Sequence, residues 1–421
     1  MVASRDEVET RRFLVVGFFS FLRSRKVLAS VLAGSCLVTV IGSIAFALGL
    51  PKSISSFSVP TRPPTNSPIT AHWVTPTNES GAPEVPMPGG AVEGRGSFNA
   101  ISCPTTTRCI AVGGDKSLNG VVSTSNNGGS SWTADVVASG LPELNAVSCV
   151  SATNCVAVGN GGVVTSADGG VTWVPHTIPT ANTSLLGINC TSSTTCMSVG
   201  VSPGDAGPYG GQVLVSVNGG VTWVTPKLPT SIGALGSVDC PSSTFCVAVG
   251  AQILVSDDGG KSWSPRFVNG GTGILRSVAC SSTTTCVAIG SNPMGVTDAS
   301  ASAFGVITVD GGATWSAVPM PARSWMINAI SCSSDDACAT SGPSPNSVAF
   351  EWTSPNGGAT WSSQTLPAGV TAVSSIYCLS LSHCVFVGLQ GSQPVSGVSN
   401  DGSTWNVTAA TSVFATKSAT S

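Results

Sequence analysis

A pair of cysteines recurs seven times along the chain, and this repeat constrains the fold more than any other sequence feature. Five residues separate the two cysteines of each pair, and successive first cysteines are 40 to 52 residues apart. That period matches one four-stranded blade of a β-propeller, so seven copies predict seven blades. The pairs are Cys103 and Cys109, Cys149 and Cys155, Cys190 and Cys196, Cys240 and Cys246, Cys280 and Cys286, Cys332 and Cys338, and Cys378 and Cys384.

Each pair predicts a disulfide across a β-hairpin. Alternating apolar residues precede the first cysteine, turn-forming residues follow it, and a V-A-V-G-like strand begins at the second. Cross-strand neighbours are close enough to be bridged, and closing so short a loop stabilises by roughly 2 kcal/mol. Zinc binding is the alternative, but the spacing is not that of a zinc knuckle and the chain has three histidines. We therefore expect no metal and no cofactor.

A second motif follows every cysteine pair and predicts a tight turn closed by a tryptophan. An Asp or Asn accepts backbone N–H groups inside such a turn, Gly supplies positive φ, and Trp covers the apolar face of the blade. The copies are SNNGGSSW (125–132), SADGGVTW (166–173), SVNGGVTW (216–223), SDDGGKSW (256–263), TVDGGATW (308–315), SPNGGATW (354–361) and SNDGSTW (399–405).

These turns resemble the Asp-box, the bacterial neuraminidase repeat S-x-D-x-G-x-T-W. Together with the preceding strands, residues 97–410 resemble the photosystem II stability/assembly factor family and the sortilin ectodomain, and they share the box with sialidases. The resemblance implies a seven-bladed propeller. It indicates the fold but no single function, because Asp-box propellers include hydrolases, receptors and assembly factors. The cysteine pair departs from the photosynthetic family, which argues against a role in assembling chlorophyll proteins.

The N-terminal part predicts a membrane anchor. Residues 27–50 are 24 uncharged residues, long enough as a helix to span a bilayer. The first 26 residues carry a net charge of +3, with three basic residues directly before the apolar run, which places the N-terminus in the cytoplasm. A cleaved signal peptide ending near Ala47 and twin-arginine export through Arg11 and Arg12 are the alternatives. Cys36 lies alone within this helix.

The chain is therefore predicted to be all-β after one transmembrane helix. Residues 1–26 form a cytoplasmic basic segment, 27–50 the signal-anchor helix and 51–95 a Pro-, Ser- and Thr-rich spacer. Residues 96–412 form the seven-bladed propeller of four-stranded blades, and 413–421 a disordered tail. Residues 71–76 (AHWVTP) resemble the strand after a box, so they either add a strand to the last blade or belong to the spacer.

No catalytic group emerges from the residue pattern. A sialidase needs three arginines, a Tyr–Glu pair and an Asp, and the available residues are poorly placed in the repeat: Arg108, Arg266, Arg276, Arg323, Tyr209, Tyr377, Glu143 and Glu351. A general glycosidase needs two facing carboxylates, and sequence does not show whether any converge. The net charge of -3 argues against a nucleic-acid surface.

Binding residues are expected where the copies differ. Insertions at 201–211, 291–304 and 341–348 emerge on one rim, where propellers build binding surfaces. Tyr209 lies in the first insertion; Trp325 and Trp352 lie outside the boxes, and Arg323 is near Trp325. These four are the candidate ligand-binding residues, and packing between blades is the alternative for the two tryptophans.

We therefore predict a membrane-anchored, extracytoplasmic binding or scaffolding propeller without evident catalysis. Its partners are the membrane, through the N-terminal helix, and an extracytoplasmic protein or glycan. The alternative is a carbohydrate-active enzyme with a sialidase-like or other glycosidase propeller.

Overall fold

A computed structural model describes residues 96–115, 117–136, 142–180, 183–204, 207–269, 273–291, 303–321, 327–342, 349–364 and 366–410. Within these ranges, no helix is long and apolar enough to cross a membrane. The predicted anchor, spacer and C-terminal tail lie outside them.

The described residues form seven sheets, one for each sequence repeat, and the strands of each repeat pair antiparallel. Blade 1 contains β1 (Ser97–Ser102), β2 (Cys109–Gly114), β3 (Gly120–Ser125) and β4 (Thr133–Val136); blade 2 contains β5 (Leu144–Cys149), β6 (Cys155–Gly159), β7 (Gly162–Ser166) and β8 (Val174–His176). Blade 3 contains β9 (Ser184–Cys190), β10 (Cys196–Gly204) and β11 (Gly207–Ser216); blade 4 contains β12 (Leu235–Asp239), β13 (Cys246–Gly250), β14 (Ile253–Ser256) and β15 (Ser264–Arg266). Next come β16 (Val268–Asn269) and blade 5, with β17 (Ile274–Cys280), β18 (Cys286–Ser291), β19 (Ala303–Thr308) and β20 (Trp315–Val318). Blade 6 contains β21 (Ala329–Cys332), β22 (Cys338–Gly342), β23 (Phe350–Ser354) and β24 (Ser362–Gln364); blade 7 contains β25 (Val370–Ser380), β26 (His383–Gln390), β27 (Gln393–Ser399) and β28 (Asn406–Ala409).

The blades form a closed ring around an axis lined by their first strands. The first strand of each blade contacts that of the next, and β25 contacts β1 to complete the ring. Seven hydrophobic clusters fill the blade interfaces, as between β26 and β1, where Val385 and Val387 pack against Phe98. The seven-bladed all-β propeller is thus confirmed. Blade 7 takes its four strands from the C-terminal repeat, and residues 71–76 lie outside the described part.

Two blades depart from the predicted four strands. In blade 3 the fourth strand is reduced to one bridge between Val215 and Val224. Pro226 follows two residues later, and a proline has no N–H to continue the ladder. The side-chain amide of Gln212 donates to the carbonyl of Val213, 3.1 Å away, at the edge left open. In blade 5, β16 adds a short parallel strand outside β20.

The backbone of the preceding strand explains why the V-A-V-G motif ends in glycine. In six blades the first strand contains a β-bulge, an extra residue without a partner, opposite this glycine. The bulge brings a backbone carbonyl, at the start of the first strand or just before it, close to the glycine, so that an added Cβ would lie 1.9–2.1 Å from the oxygen. Any larger residue would collide with the backbone. The glycines are Gly113, Gly159, Gly200, Gly250, Gly290 and Gly388.

All seven predicted disulfides are present. Each joins the first and second strands of one blade, with Cα atoms 3.9–4.1 Å apart. The five residues inside each bridge, here called the cysteine turn, support the box of the same blade. In six blades the first box glycine donates its N–H to a cysteine-turn carbonyl, as Gly169 does to Thr153 at 2.8 Å.

Non-reducing peptide mapping of the oxidised protein is expected to recover seven linked peptides, each joining cysteines six positions apart. Local pairing follows because each cysteine has its partner directly across a hairpin. Alkylation before and after reduction supplies the control. Free thiols at these positions, or peptides linking two repeats, would contradict the pairing.

Candidate functional site

The propeller has two chemically different faces. Because the strands of a blade are antiparallel, the cysteine turn and the box lie at one end, here called the box face. The connections between second and third strands, which carry the predicted insertions, lie at the opposite end, here called the loop face. The carboxylates of the boxes accept hydrogen bonds within the turns. Those from the side chain and backbone of Thr172 lower the pKa of Asp168 to about 2.

The bulge residues of the first strands form a ring about the axis near the loop face. A bulge re-aims a side chain, and such sites often border functional centres. In blades 1 and 2 the bulge residue is an asparagine, and each donates to a carbonyl of the next blade: Asn99 to Leu144 at 3.0 Å and Asn145 to Leu185 at 2.9 Å. Asn328 occupies the corresponding place in blade 6 and donates to Val373 at 3.2 Å. These amides link neighbouring blades.

Three consecutive blades lack this asparagine. Blades 3, 4 and 5 have Leu186, Gly236 and Arg276 at the bulge. Leu186 is 36% exposed, Arg276 is exposed, and Ile274 at the start of the same strand is 49% exposed. We call these four residues the channel mouth. No hydrogen bond or ion pair engages the Arg276 guanidinium within the described ranges, so the channel mouth contains one unpaired cation and two exposed apolar side chains.

The polar groups around the axis are different at the box face. There Asp239, half-buried in β12, accepts the Asn189 amide at 2.8 Å and the Cys280 N–H at 2.7 Å. Desolvation raises the pKa of Asp239 to about 6. Desolvation and the nearby Asp239 charge also raise the pKa of Tyr377. In blades 1, 2 and 6 a serine accepts the same N–H from the next blade, as Ser148 does from Cys190. Asp239 therefore has a structural role.

The structure describes the side chain of one of the four predicted binding residues. Trp352 is 4% exposed and belongs to the core between blades 5 and 6, where its ring stacks on Phe350 with centroids 4.3 Å apart. Trp352 therefore packs between blades, which was the alternative to ligand binding for this residue. Tyr209 lies in β11, within an extended β10–β11 hairpin, but its side chain is outside the described set. Arg323 and Trp325 lie outside the described residues, as do 292–302 and 343–348 of the other two insertions.

Sequence reasoning did not select the channel mouth. It weighed Arg276 only as one arginine of a sialidase triad. The signal was available in the repeat alignment, four positions before the first cysteine, where Asn recurs in three copies and Arg occurs in one.

The described carboxylates outside the boxes are engaged in local structure. Asp115 accepts N–H groups of its own turn, and Glu143 accepts the amide of Asn99 at 2.8 Å. Glu351 is buried and accepts the Trp405 indole N–H at 2.8 Å. A cavity of about 190 Å³ between blades 2 and 3 is lined by uncharged side chains. No cluster of three potential metal ligands occurs among the residues that the structure describes.

Comparison with known proteins bears on the repeat and the fold. Residues 254–265 match the family model described as BNR/Asp-box repeat. This match covers the box of blade 4 and most of β14 and β15. No curated protein sequence matches the chain significantly.

Several solved structures share the propeller. YCF48 bound to a D1 peptide is 16% identical with a TM-score of 0.53, and the similarity covers 72% of this chain and 93% of that one. The GH74 enzyme of Niastella koreensis is 17% identical (TM-score 0.54; 75% and 54% covered), and the GH74 xyloglucanase of Xanthomonas campestris 14% identical (TM-score 0.54; 73% and 53%). The chain spans about half the length of these two enzymes. At these identities the similarity establishes the fold alone.

Proposed function

We propose that this protein is a non-catalytic binding propeller that recognises an extracytoplasmic polypeptide at the channel mouth. Residues 27–50 anchor it in the membrane, with the N-terminus in the cytoplasm and the propeller outside. The observation that carries the proposal is Arg276. Its side chain is exposed at a bulge and has no hydrogen bond or ion pair to any described residue, in a ring where three corresponding asparagines join neighbouring blades.

The chemistry of the channel mouth supports a polypeptide ligand. Arg combined with aliphatic neighbours is typical of residues that dominate protein interfaces, since the guanidinium binds carboxylates or carbonyls while the apolar groups exclude water. YCF48, which shares the fold, has been solved with a bound peptide. Seven disulfides support a location outside the cytoplasm, because such bridges persist in oxidising compartments.

A carbohydrate-active enzyme is the second candidate. The similarity to two GH74 propellers favours it. Glycoside hydrolysis requires two carboxyl groups facing across the scissile bond. The local hydrogen bonds of Asp115 and Glu143 on the loop face weaken this candidate.

Affinity capture from native membranes with the tagged full-length chain tests the binding function. Arg276→Ala is expected to reduce capture of the partner by roughly tenfold, because it removes the one unpaired cation of the channel mouth. Lys261→Ala is the matched control, since it removes one exposed positive charge from the box face. Equal capture by both variants would reject the channel mouth as the site. Release of reducing sugars from xyloglucan by the native chain would favour the enzyme instead.

A further inference from the structure

At the third position of the box, three copies have Asn and four have Asp, and Gly follows in every copy. The two residue types differ in chemical stability. The asparagines are Asn127, Asn218 and Asn356, all exposed at the box face. Asparagine is among the thermally labile residues of proteins. Its side chain is most easily attacked when the next residue is glycine, because no Cβ shields the nitrogen that attacks.

We propose that Asn127, Asn218 and Asn356 are sites of spontaneous deamidation, and that the cysteine turn of the same blade controls each site. In this reaction the backbone nitrogen of the following glycine loses its proton and bonds to the side-chain Cγ. The Cγ–Nδ2 bond breaks and ammonia leaves. Water then opens the resulting succinimide to aspartate or isoaspartate. Water is the one co-reactant.

The folded box holds both reacting groups away from this path. The N–H of Gly128 is donated to Thr107 at 2.7 Å, and that of Gly219 to Thr194 at 2.7 Å. The N–H of Gly357 is donated to Asp336 at 2.6 Å. While these bonds persist, the nitrogen cannot lose its proton to solvent. Each acceptor is a cysteine-turn carbonyl, so the disulfide that closes the turn also restrains the nucleophile.

The side-chain amide is restrained as well. The Oδ1 atom of Asn127 accepts the Ser131 N–H at 2.8 Å, and its Nδ2 donates to the Ser131 hydroxyl at 2.8 Å. Asn218 and Asn356 make the same two bonds to the residue four positions on. Deamidation therefore needs local opening of the box and its cysteine turn together.

The two products have different fates in the box. Aspartate fits, because in the Asp boxes of blades 2, 4 and 5 the hydroxyl four positions on donates to the carboxylate, as Thr314 does to Asp310 at 2.6 Å. Isoaspartate adds a carbon to the backbone and displaces the glycine N–H from its turn carbonyl. A box that has formed isoaspartate should therefore lose its support from the cysteine turn.

Peptide mapping of the full-length oxidised chain, incubated in mildly alkaline buffer, tests the proposal. Deamidation at the three sites should be at least roughly tenfold slower in the native chain than in the denatured chain. The double variant Cys103→Ser/Cys109→Ser should accelerate Asn127 selectively, with Asn218 and Asn356 as controls in the same molecule. The double variant Cys190→Ser/Cys196→Ser should shift the acceleration to Asn218.

Three results would overturn the proposal. Equal rates in native and denatured chains would show that the fold does not protect these sites. Slow deamidation of Asn127 in the first variant would show that its cysteine turn does not control it. Acceleration of all three sites in both variants would show that protection is a property of the whole ring and not of each blade.

Discussion

The native protein should lose stability as the pH rises from about 4.5 to about 7, and Glu351→Gln should abolish much of this loss. Glu351 is 3% exposed in β23, at the interface of blades 6 and 7. Burial raises the pKa of its carboxyl to about 7, against an opposing effect of the Trp405 indole. Hydrophobic or small residues hold the corresponding position in the other blades, for example Val213 in β11 and Ile253 in β14.

The sign of the effect follows from proton uptake. Between pH 4.5 and 7 the folded chain keeps the Glu351 proton while the unfolded chain has lost it, so the free energy of unfolding falls as the pH rises. With a pKa of about 7 in the fold, the fall amounts to about 3 kcal/mol. Below pH 4.5 the carboxyl is neutral in both states, so Glu351 no longer makes the free energy of unfolding depend on pH.

Denaturant unfolding at a series of pH values measures this effect. Asp239 produces a fall of the same sign, because its pKa is also raised, so the difference between native protein and Glu351→Gln isolates Glu351. Asp257→Asn is the control for the substitution itself, because it makes the same change from acid to amide at an exposed position of the box face. Parallel profiles for the native protein and Glu351→Gln would show that the carboxyl ionises freely in the fold.

The second large effect is expected at the glycine opposite the bulge of blade 5. Gly290→Ala places a Cβ 1.9 Å from the carbonyl oxygen of Ile274, which is backbone and cannot rotate away. The bulge must shift or the two strands must separate. We expect a loss of about 3 kcal/mol or more in the free energy of unfolding, at the upper end of the usual cost of overpacking.

Gly162→Ala is the matched control for this substitution. Gly162 also lies in a strand, but an added Cβ would have its nearest neighbour 3.9 Å away. Its stability should change by less than about 1 kcal/mol, because neither a collision nor a left-handed φ opposes the methyl group. Equal losses in the two variants would mean that the bulge does not impose the glycine.

The sequence predicts the blade count and the disulfides because both depend on short-range pattern. A cysteine turn and a box each extend over fewer than ten residues, and seven copies in phase reinforce one another. The bulge is not predictable in this way, since a glycine at the end of V-A-V-G is equally consistent with a turn. Its cause is the Ile274 carbonyl and its equivalents, which the pairing register brings into contact.

The candidate site was missed for a related reason. A tryptophan outside the boxes, such as Trp352, is a plausible binding residue in the sequence, but in the structure Trp352 belongs to the core. The significance of Arg276 depends on its counterparts in other blades. Asn99 and Asn145 each donate to the next blade, whereas Arg276 makes no such bond within the described residues. Blade 3 likewise loses its fourth strand to Pro226, a local effect that the repeat pattern obscures.

The position of the disulfides has a consequence for oxidative folding. With fourteen cysteines in the seven repeats, a chain could be trapped in many mismatched pairings, and isomerisation is slow. Here each thiol meets its partner as soon as one hairpin forms, because only five residues intervene. A blade can thus be oxidised correctly before the next one is made. Duplicating or deleting a whole repeat leaves no cysteine without a partner, so the number of blades can change without disturbing thiol pairing.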